Sequence, residues 1–345
     1  MKQPDSTRRR IVGAAGAGAV LSFLPERNGR AQGMVKMTAA EAVETLYYLP
    51  LYVAHALGFF KEQGLEVEVN DFKGGSQSLT ALIGGSADVV TGAYEHTIRM
   101  QVKGQDIVSV IELGRYPGIA LAVKADRAGR IKSAADLKGA KVGVTAPGSS
   151  TNMIVWYLMA QAGLKPDDAS FVGVGTGPSA IAAIQRGEID AISNIDPVIA
   201  KLESTKDIVI LAETRTTEGT TKVFGGPMSA AVLYMKREFT QKNPNTTQAL
   251  VNAFYKGLLW LEKASPEQVA AAVPQEYWLG DRGLYTAAVA ANLQVYSRTG
   301  VVSTDSQQRS LAFLRQFDKE IAAATVDTGK TWDDRFVTKA AASIK

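Results

Sequence analysis

A run of small and hydroxyl-bearing residues, Ala146-Pro147-Gly148-Ser149-Ser150-Thr151-Asn152, follows a short apolar segment and precedes a helical one. The start of a helix has free backbone N–H groups and the positive end of the helix dipole, so this point suits an anion. The dipole supplies only about 0.3–1 kcal/mol at an exposed site, so affinity also requires hydrogen bonds from Ser149, Ser150 or Thr151. Ordinary helix capping by these residues is the alternative. The run is not a P-loop, because no Gly-Lys-Ser/Thr follows at the required spacing.

Glu95 and His96 follow a short apolar segment that is expected to be a strand. The carboxyl end of a strand is where ligands bind in open α/β sheets. Neighbours in sequence point apart, however, and neither a nucleophile elbow nor metal-ligand spacing accompanies the pair. We therefore expect no catalytic residues and no metal site, while a ligand hydrogen bond and a structural role both remain open for these two residues.

A glycine pattern that resembles a dinucleotide fingerprint occurs at Gly175-Thr176-Gly177-Pro178-Ser179-Ala180. The match is weak by itself. A similar turn, Gly74-Gly75-Ser76-Gln77, occurs about a hundred positions earlier, so a strand-to-helix turn common to both places explains the glycines. We expect no nucleotide and no other cofactor.

These two turns belong to a longer repeat, because residues 51–92 and 150–194 are two diverged copies of one pattern. A shift of 102 positions brings Gly75, Ala81, Gly85 and Asp88 onto Gly177, Ala183, Gly187 and Asp190. A period this long exceeds the repeat lengths of solenoid proteins. The repeat therefore predicts two similar α/β lobes with a cleft between them, and clefts between domains are where small ligands bind.

Apolar alternation predicts strands that alternate with helices along both copies. Residues Pro50 to Gln63 are predicted as one helix closed by Gly64. Glycine and proline residues cluster near 114–118 and 224–227 and indicate breaks in regular structure. We interpret these two places as crossings between the lobes, with turns inside one domain as the alternative. The chain beyond Arg237 is expected to be helical. Lobe I then comprises residues 34–116 and 227–345, and lobe II comprises residues 117–226.

The first 31 residues have the pattern of an export signal. Arg8-Arg9-Arg10 precedes an apolar run from Ile11 to Leu24, and Gly29-Arg30-Ala31 offers small residues to a signal peptidase. The run would form roughly 21 Å of helix, which is short of a bilayer core of about 30 Å. A cleaved twin-arginine signal is expected, with the general secretory route and a basic disordered N-terminus as alternatives.

Charge and cysteine content narrow the class of protein further. Residues 1–31 hold six of the 38 basic and two of the 34 acidic residues, so 32 of each remain in the mature chain. The high isoelectric point therefore gives no support for a nucleic-acid partner. The absence of cysteine excludes disulfides, thiolate metal sites, a cysteine nucleophile and an N-terminal lipid on cysteine. An exported protein of the periplasm that is not a lipoprotein is expected.

The chain closely resembles the nitrate/sulfonate/taurine-type solute receptors of ABC transporters, a group that also includes binders of thiamine pyrimidine precursors. The resemblance rests on four segments, YLPLYVAHALGFFKEQGLEVEV, ALIGGSADVV, DLKGAKVGVTAPGSSTN and AIQRGEIDAISNIDP. It implies the type II periplasmic binding fold, in which two α/β lobes joined by two crossings close on a ligand, with a helical C-terminal tail. It also implies docking on the membrane permease of an importer with its ATPase, and we expect a monomer.

The same resemblance implies where the ligand is held. The contacts carried over, residue by residue, are Glu41, Tyr47, Tyr48, Gly75, Ser76, Tyr94, Glu95, Ser149, Ser150, Thr151, Thr176, Asn194 and Asp196. Glu41 and Glu44 depart from what a purely anion-selective site would have, which argues against nitrate or sulfate as the ligand.

A small organic anion, such as a sulfonate or an aromatic or aliphatic carboxylate, is therefore the expected ligand. A pyrimidine precursor of thiamine and a receptor for a periplasmic sensor remain alternatives. The related pyrimidine-synthesising enzymes imply a cysteine-bearing iron site, which this chain lacks, so we expect no enzymatic activity.

Overall fold

A computed structural model describes residues 34–39 and 45–345. The strands are β1 Met34–Ala39, β2 Glu66–Asp71, β3 Val89–Ala93, β4 Ile107–Glu112, β5 Ile119–Lys124, β6 Lys141–Val144, β7 Ser170–Gly173, β8 Ala191–Ile195, β9 Ile208–Glu213 and β10 Ala231–Lys236. The helices are α1 Leu49–Ala56, α2 Phe59–Glu62, α3 Gly75–Gly84, α4 Glu95–Val102, α5 Ser150–Gln161, α6 Pro178–Gln185, α7 Val198–Ser204, α8 Thr217–Phe224, α9 Arg237–Lys242, α10 Pro244–Lys263, α11 Pro266–Ala272, α12 Arg282–Asn292, α13 Thr304–Arg315, α14 Lys319–Ala323 and α15 Arg335–Ser343.

The strands form two sheets of five, with the orders β2-β1-β3-β10-β4 and β7-β6-β8-β5-β9. In the first sheet β1 is parallel to β2 and β3, whereas β10 is antiparallel to β3 and β4. In the second sheet β6 is parallel to β7 and β8, whereas β5 is antiparallel to β8 and β9. We call the parts of the chain built on the first and second sheets lobe I and lobe II.

In each lobe, the strand that is antiparallel to its neighbours comes directly after the chain has crossed over from the other lobe. Residues 113–118 lead from β4 of lobe I into β5 of lobe II, and residues 214–230 lead from β9 back into β10 of lobe I. The two lobes and the helical tail that were predicted are therefore confirmed, while the exact limits 34–116, 117–226 and 227–345 stay a prediction.

The repeated residues have the same structural role in both lobes. Asp88 and Asp190 each accept a hydrogen bond from the backbone N–H at the start of the neighbouring strand, from Lys36 at 2.9 Å and from Lys141 at 3.0 Å. Gly85 and Gly187 each have a positive φ, of 80° and 71°, which lets the chain turn out of α3 and α6. The two copies of the sequence repeat therefore fold into two copies of one strand-turn-helix-strand unit.

One helix of the sequence prediction is wrong. Residues 50–63 form two helices rather than one, because Gly58 adopts a φ of 76° and ends α1 before α2 begins. Gly64, with a φ of 72°, closes α2 as expected. The short second helix places Phe60 in the lobe I core, where its ring lies edge-on to Phe254 of α10 at 5.3 Å between centroids.

Candidate functional site

The serine turn, residues 145–152, is held together inside lobe II by two side chains. Thr151 Oγ1 accepts a hydrogen bond from the Thr145 N–H at 3.1 Å and lies 2.9 Å from the Thr145 hydroxyl. Asn152 Oδ1 accepts from the Gly148 N–H at 3.0 Å. Because Thr151 and Asn152 shape the turn, the hydroxyls of Ser149 and Ser150 are not needed for its internal bonding. Thr151 therefore supports the turn rather than reaching across to lobe I.

Ser149 and Ser150 bond to the starts of two helices of lobe I. The Ser76 N–H, in the first turn of α3, donates to Ser149 Oγ at 3.1 Å, and the two serine hydroxyls lie 3.3 Å apart. Ser76 Oγ donates to the Pro147 carbonyl oxygen at 3.1 Å. Ser150 Oγ donates to Glu95 Oε1, at the start of α4, at 2.5 Å. We call this set, Ser76, Glu95, Ser149 and Ser150, the interlobe clasp.

The close contact between the lobes at the clasp requires a glycine at position 74, in the glycine turn just before α3. A Cβ built there would lie 2.6 Å from Ala146 Cβ and 3.0 Å from Ser149 Oγ, so no larger residue fits while the lobes are together. Gly75, which the sequence singled out, is the first residue of α3 and is buried. Gly175 of the second glycine turn is required for a different reason, because its φ is 70° while a Cβ there would have no heavy atom closer than 3.6 Å.

Glu95 and His96 differ completely in surroundings although they are neighbours. Burial raises the pKa of the Glu95 carboxyl, while the hydrogen bond from Ser150 and the charge of Arg99 act in the opposite direction. His96 Nδ1 lies 3.2 Å from the Tyr234 hydroxyl, and burial together with Arg99 lowers the pKa of His96 to about 3. His96 is thus neutral and bonded inside lobe I. The two side chains do not form a proton relay.

The predicted tyrosines are buried. Tyr47 and Tyr48 pack edge to face with ring centroids 4.7 Å apart, just before α1. Tyr94 lies at the end of β3, and its hydroxyl is 2.6 Å from Thr331 Oγ1 in the C-terminal tail. Burial raises the pKa of Tyr94 above its ordinary value, so the hydroxyl stays protonated.

In lobe II, Asn194 and Asp196 are engaged by the protein itself. Asn194 Nδ2 donates to the Gly175 carbonyl oxygen at 2.9 Å and so holds the second glycine turn. Asp196 accepts from the Ala200 N–H at 2.9 Å and from Asn292 Nδ2, in the C-terminal tail, at 2.6 Å. Burial raises the pKa of Asp196, against the opposing charge of Arg215.

Buried polar atoms that have no hydrogen-bond partner among the described residues include Thr45 Oγ1, His96 Nε2, Asn152 Nδ2 and Thr176 Oγ1. Thr176 is the predicted site residue of the second glycine turn and is 2% exposed. Glu41, another predicted contact, lies outside the described residues.

The structure adds residues that the sequence did not suggest. Arg99 Nη1 donates to the Gly148 carbonyl oxygen at 3.3 Å, next to the clasp. Tyr296 donates its hydroxyl to the Leu46 carbonyl oxygen at 2.8 Å, and the Leu46 N–H donates to the Asp196 carbonyl oxygen at 3.0 Å. Asn292 and Tyr296 belong to the C-terminal tail, and no local sequence signal links them to positions 46 and 196.

Within residues 34–39 and 45–345, no helix is both long enough and apolar enough to cross a bilayer. These residues also contain no group of three or more histidine, aspartate and glutamate side chains with the arrangement of a metal site.

The family model described as NMT1/THI5 like matches residues 45–268, which include both glycine turns and the serine turn. The chain belongs to this family. Its curated relatives include a putative binding protein, YtlA, of Bacillus subtilis, which is 26% identical over 71% of this chain and 71% of its own length. The nitrate/nitrite binding protein NrtA of Nostoc is 26% identical over 64% of this chain and 52% of its own length.

The family also has members with names of enzymes. A 4-amino-5-hydroxymethyl-2-methylpyrimidine phosphate synthase of Saccharomyces cerevisiae, THI13, is 30% identical over 43% of this chain and 42% of its own length. That match spans less than half of either protein.

Solved structures agree with the fold. A protein of Bordetella bronchiseptica RB50 superposes with a TM-score of 0.87 and is 44% identical, over 90% of this chain and 97% of that one. The alkanesulfonate-binding protein SsuA of Xanthomonas axonopodis, bound to MOPS, has a TM-score of 0.67 and 19% identity, over 88% of this chain and 99% of that one. The chain thus has the periplasmic binding protein fold.

Proposed function

We propose that this protein is a periplasmic solute-binding receptor of an ABC importer that captures a small organic molecule between its two lobes. The observation that carries the proposal is the interlobe clasp, in which Ser149 and Ser150 of lobe II bond to Ser76 and Glu95 of lobe I. A receptor of this kind works by coupling ligand binding to lobe closure. Side chains that meet only when the lobes are together are what such coupling requires.

The ligand is a molecule with one anionic or strongly polar end. Thr176 Oγ1 and Asn152 Nδ2 are buried and have no partner in the described part of the protein, and leaving such groups unsatisfied costs about 1–3 kcal/mol each. Polar atoms of a ligand would satisfy them. A sulfonate or a carboxylate offers several acceptor oxygens for this purpose.

Glu95 argues against a bare inorganic anion at the serine turn. Its carboxyl already accepts the Ser150 hydroxyl at 2.5 Å, so an oxyanion at Ser150 would lie beside a second acidic group. A ligand group that donates a hydrogen bond suits Glu95 better. An aminopyrimidine has such donors, which makes a thiamine pyrimidine precursor the second candidate ligand.

We propose binding without catalysis. Glu95 is bonded to Ser150 and His96 to Tyr234, so the two side chains do not act as an acid/base pair. The chain also contains no cysteine for the iron site that the resemblance to the synthases implies. Export by a cleaved signal in residues 1–31, a monomeric state and docking on a permease with its ATPase belong to the same proposal. If the receptor serves a periplasmic sensor instead, the protein will co-purify with a sensor domain and not with a permease.

Isothermal titration calorimetry of residues 32–345 tests the ligand class with alkanesulfonates, aromatic carboxylates, aminopyrimidines and sodium nitrate as separate titrants. We expect at least one organic titrant to bind and nitrate not to bind. Binding of nitrate alone would refute the proposed class.

Ser149→Ala tests the clasp, with Ser204→Ala as the matched control because Ser204 is exposed and its Oγ donates to the Lys201 carbonyl oxygen of its own helix. Loss of the Ser149 hydroxyl should weaken the binding of every ligand by the same factor, about 3- to 10-fold for one hydrogen bond. Thr176→Val removes a hydroxyl that we propose contacts the ligand itself. It should therefore change the ratio between the dissociation constants of two different ligands. Unchanged dissociation constants in both variants would remove the two turns from the site.

A further inference from the structure

Helix α5, which begins in the serine turn, is apolar on two different faces. Val155 and Met159 pack in a core cluster of lobe II. Met153 belongs instead to the core cluster of lobe I, although α5 follows β6 of lobe II. The helical period of 3.6 residues places Trp156 and Tyr157 on the same face as Met153. A helix at the surface of a domain normally has one apolar stripe, so the second apolar face of α5 is covered from outside lobe II.

The helix that covers this face is α13 of the C-terminal tail. Between ring centroids, Tyr157 lies 5.1 Å from Phe313 and Trp156 lies 5.7 Å from Phe317. The rings of Phe313 and Phe317 are themselves 5.2 Å apart. These separations lie in the 4.5–7 Å range in which aromatic pairs attract one another beyond the effect of buried area. We call the four rings the aromatic seam.

The two sides of the seam belong to different lobes. Helix α13 packs against α4, and Phe313 and Leu314 lie in the core cluster of lobe I. Helix α5 is bonded to the sheet of lobe II, because Ser193 Oγ of β8 donates to the Thr151 carbonyl oxygen at 2.7 Å. The seam therefore joins a helix that moves with lobe I to a helix that moves with lobe II.

The seam extends from the second crossing to the neighbourhood of the clasp. At one end, the ring of Phe313 lies edge-on to Phe224, the last residue of α8, at 5.5 Å between centroids. At the other end, Asp318 directly follows the seam and pairs with Arg99 of α4 at 3.8 Å. Arg99 Nη1 in turn donates to the Gly148 carbonyl oxygen of the serine turn at 3.3 Å. The apolar and polar contacts between the lobes are thus continuous.

Opening of the clasp must also part the seam. Ser150 lies in the first turn of α5, and Trp156 lies about 9 Å further along the same helix axis. Glu95, which accepts the Ser150 hydroxyl, begins α4, against which α13 packs. A motion that carries Ser150 away from Glu95 therefore carries α5 away from α13. The pair Trp156 and Phe317, on the side of the seam away from the second crossing, separates most.

We propose that the aromatic seam is an apolar latch that holds the lobes together in the absence of ligand. Separating α5 from α13 exposes four aromatic side chains to water, and the burial of such side chains favours the closed arrangement. The latch needs no ligand atom, since each ring is covered by protein rings. The motion that the latch restrains, lobe opening, rests on the proposed receptor function.

The chain has no cysteine, so two introduced cysteines give unambiguous dye positions. Glu68 on β2 and Val172 on β7 are exposed and lie on the edge strands farthest from the crossings in the two sheet orders. Single-molecule energy transfer between Glu68→Cys and Val172→Cys, recorded without ligand, reports the ratio of open to closed molecules. Closed molecules should be in excess in the otherwise wild-type protein.

Phe317→Ala should raise the ratio of open to closed molecules about 2- to 10-fold, as expected for the loss of an aromatic pair. Phe239→Ala is the matched control, because Phe239 is also a half-buried phenylalanine of lobe I but lies on α9, which packs against β10 and α10. It should leave the ratio unchanged. Trp156→Ala, on the lobe II side, should raise the ratio as Phe317→Ala does.

The double variant separates a latch from a general loss of stability. Because Phe317→Ala and Trp156→Ala remove the same contact, their combined effect on the ratio should be smaller than the product of the two single effects. An excess of open molecules in the wild-type protein, an unchanged ratio in Phe317→Ala or fully multiplicative effects in the double variant would each overturn the proposal. Because no ligand is used, a failure of the calorimetric titrations refutes the receptor function without affecting this result.

Discussion

Replacing Gly74 with alanine tests whether the lobes meet as described, because Gly74 of lobe I lies directly against Ala146 and Ser149 of lobe II. The added Cβ would be 2.6 Å from Ala146 Cβ, whereas carbon atoms in contact are normally about 3.5–4.0 Å apart. The lobes must therefore separate by about 1 Å. Overpacking of this kind costs about 1–3 kcal/mol, which corresponds to a 5- to 150-fold change in an equilibrium.

The cost should fall on lobe closure and not on folding, since the clash exists only while the lobes are together. We expect Gly74→Ala to weaken ligand binding about 5- to 150-fold in calorimetry while the melting temperature without ligand stays within about 2 °C of wild type. Gly84→Ala is the matched control, because a Cβ at Gly84 has no heavy atom within 4 Å. Wild-type affinity in Gly74→Ala would refute the described contact, and an equal loss of melting temperature would show that the glycine serves folding.

Two further substitutions have defined outcomes. Asn292→Ala leaves the buried Asp196 carboxyl without its donor at 2.6 Å and should lower the free energy of unfolding in urea by about 1–3 kcal/mol, whereas a wild-type value would show that Asn292 is dispensable. For Glu112, whose pKa is raised by burial from 4.5 to about 7, the native state keeps a proton that the unfolded chain has released between these pH values. The stability of the wild-type protein should therefore fall as the pH rises through this interval, by about 3 kcal/mol at most, and stay level above pH 7. Glu112→Gln should lack this fall in urea titrations at pH 5 and 8, and an identical fall would assign it to another group.

The fold was predictable from the sequence because its two lobes repeat the same residues for the same reasons. Asp88 and Asp190 both bind the backbone at the start of a neighbouring strand, and Gly85 and Gly187 both turn the chain out of a helix. Such requirements are local, so they leave a recognisable pattern. The division of residues 50–63 at Gly58 was missed, since a glycine inside a helical pattern indicates a break only when its φ is known to be positive.

The site was only partly predictable, because its contacts join positions far apart in the chain. Ser149 and Ser150 were visible as a helix start, but nothing near them indicates that Ser76 and Glu95 are their partners. The dependence of Asp196 on Asn292, 96 positions away, has no local signal at all. Glu112 accepts hydrogen bonds from Ser229 and Ser297, which are 117 and 185 positions away in the chain, so no local signal marks these residues as partners.

The clasp changes what the serine turn implies about the ligand. Moving the lobes from 1% to 99% closed requires about 5.5 kcal/mol, and a hydrogen bond in a protein contributes about 0.5–1.5 kcal/mol. Ser76, Ser149 and Ser150 make several such bonds from protein groups alone, so a substantial part of the closing free energy is independent of the ligand. The helix start that resembles an anion site is then mainly a closing contact, with Glu95 as the acidic group beside it. Discrimination between ligands must come instead from groups that protein contacts leave unsatisfied, of which Thr176 is the clearest.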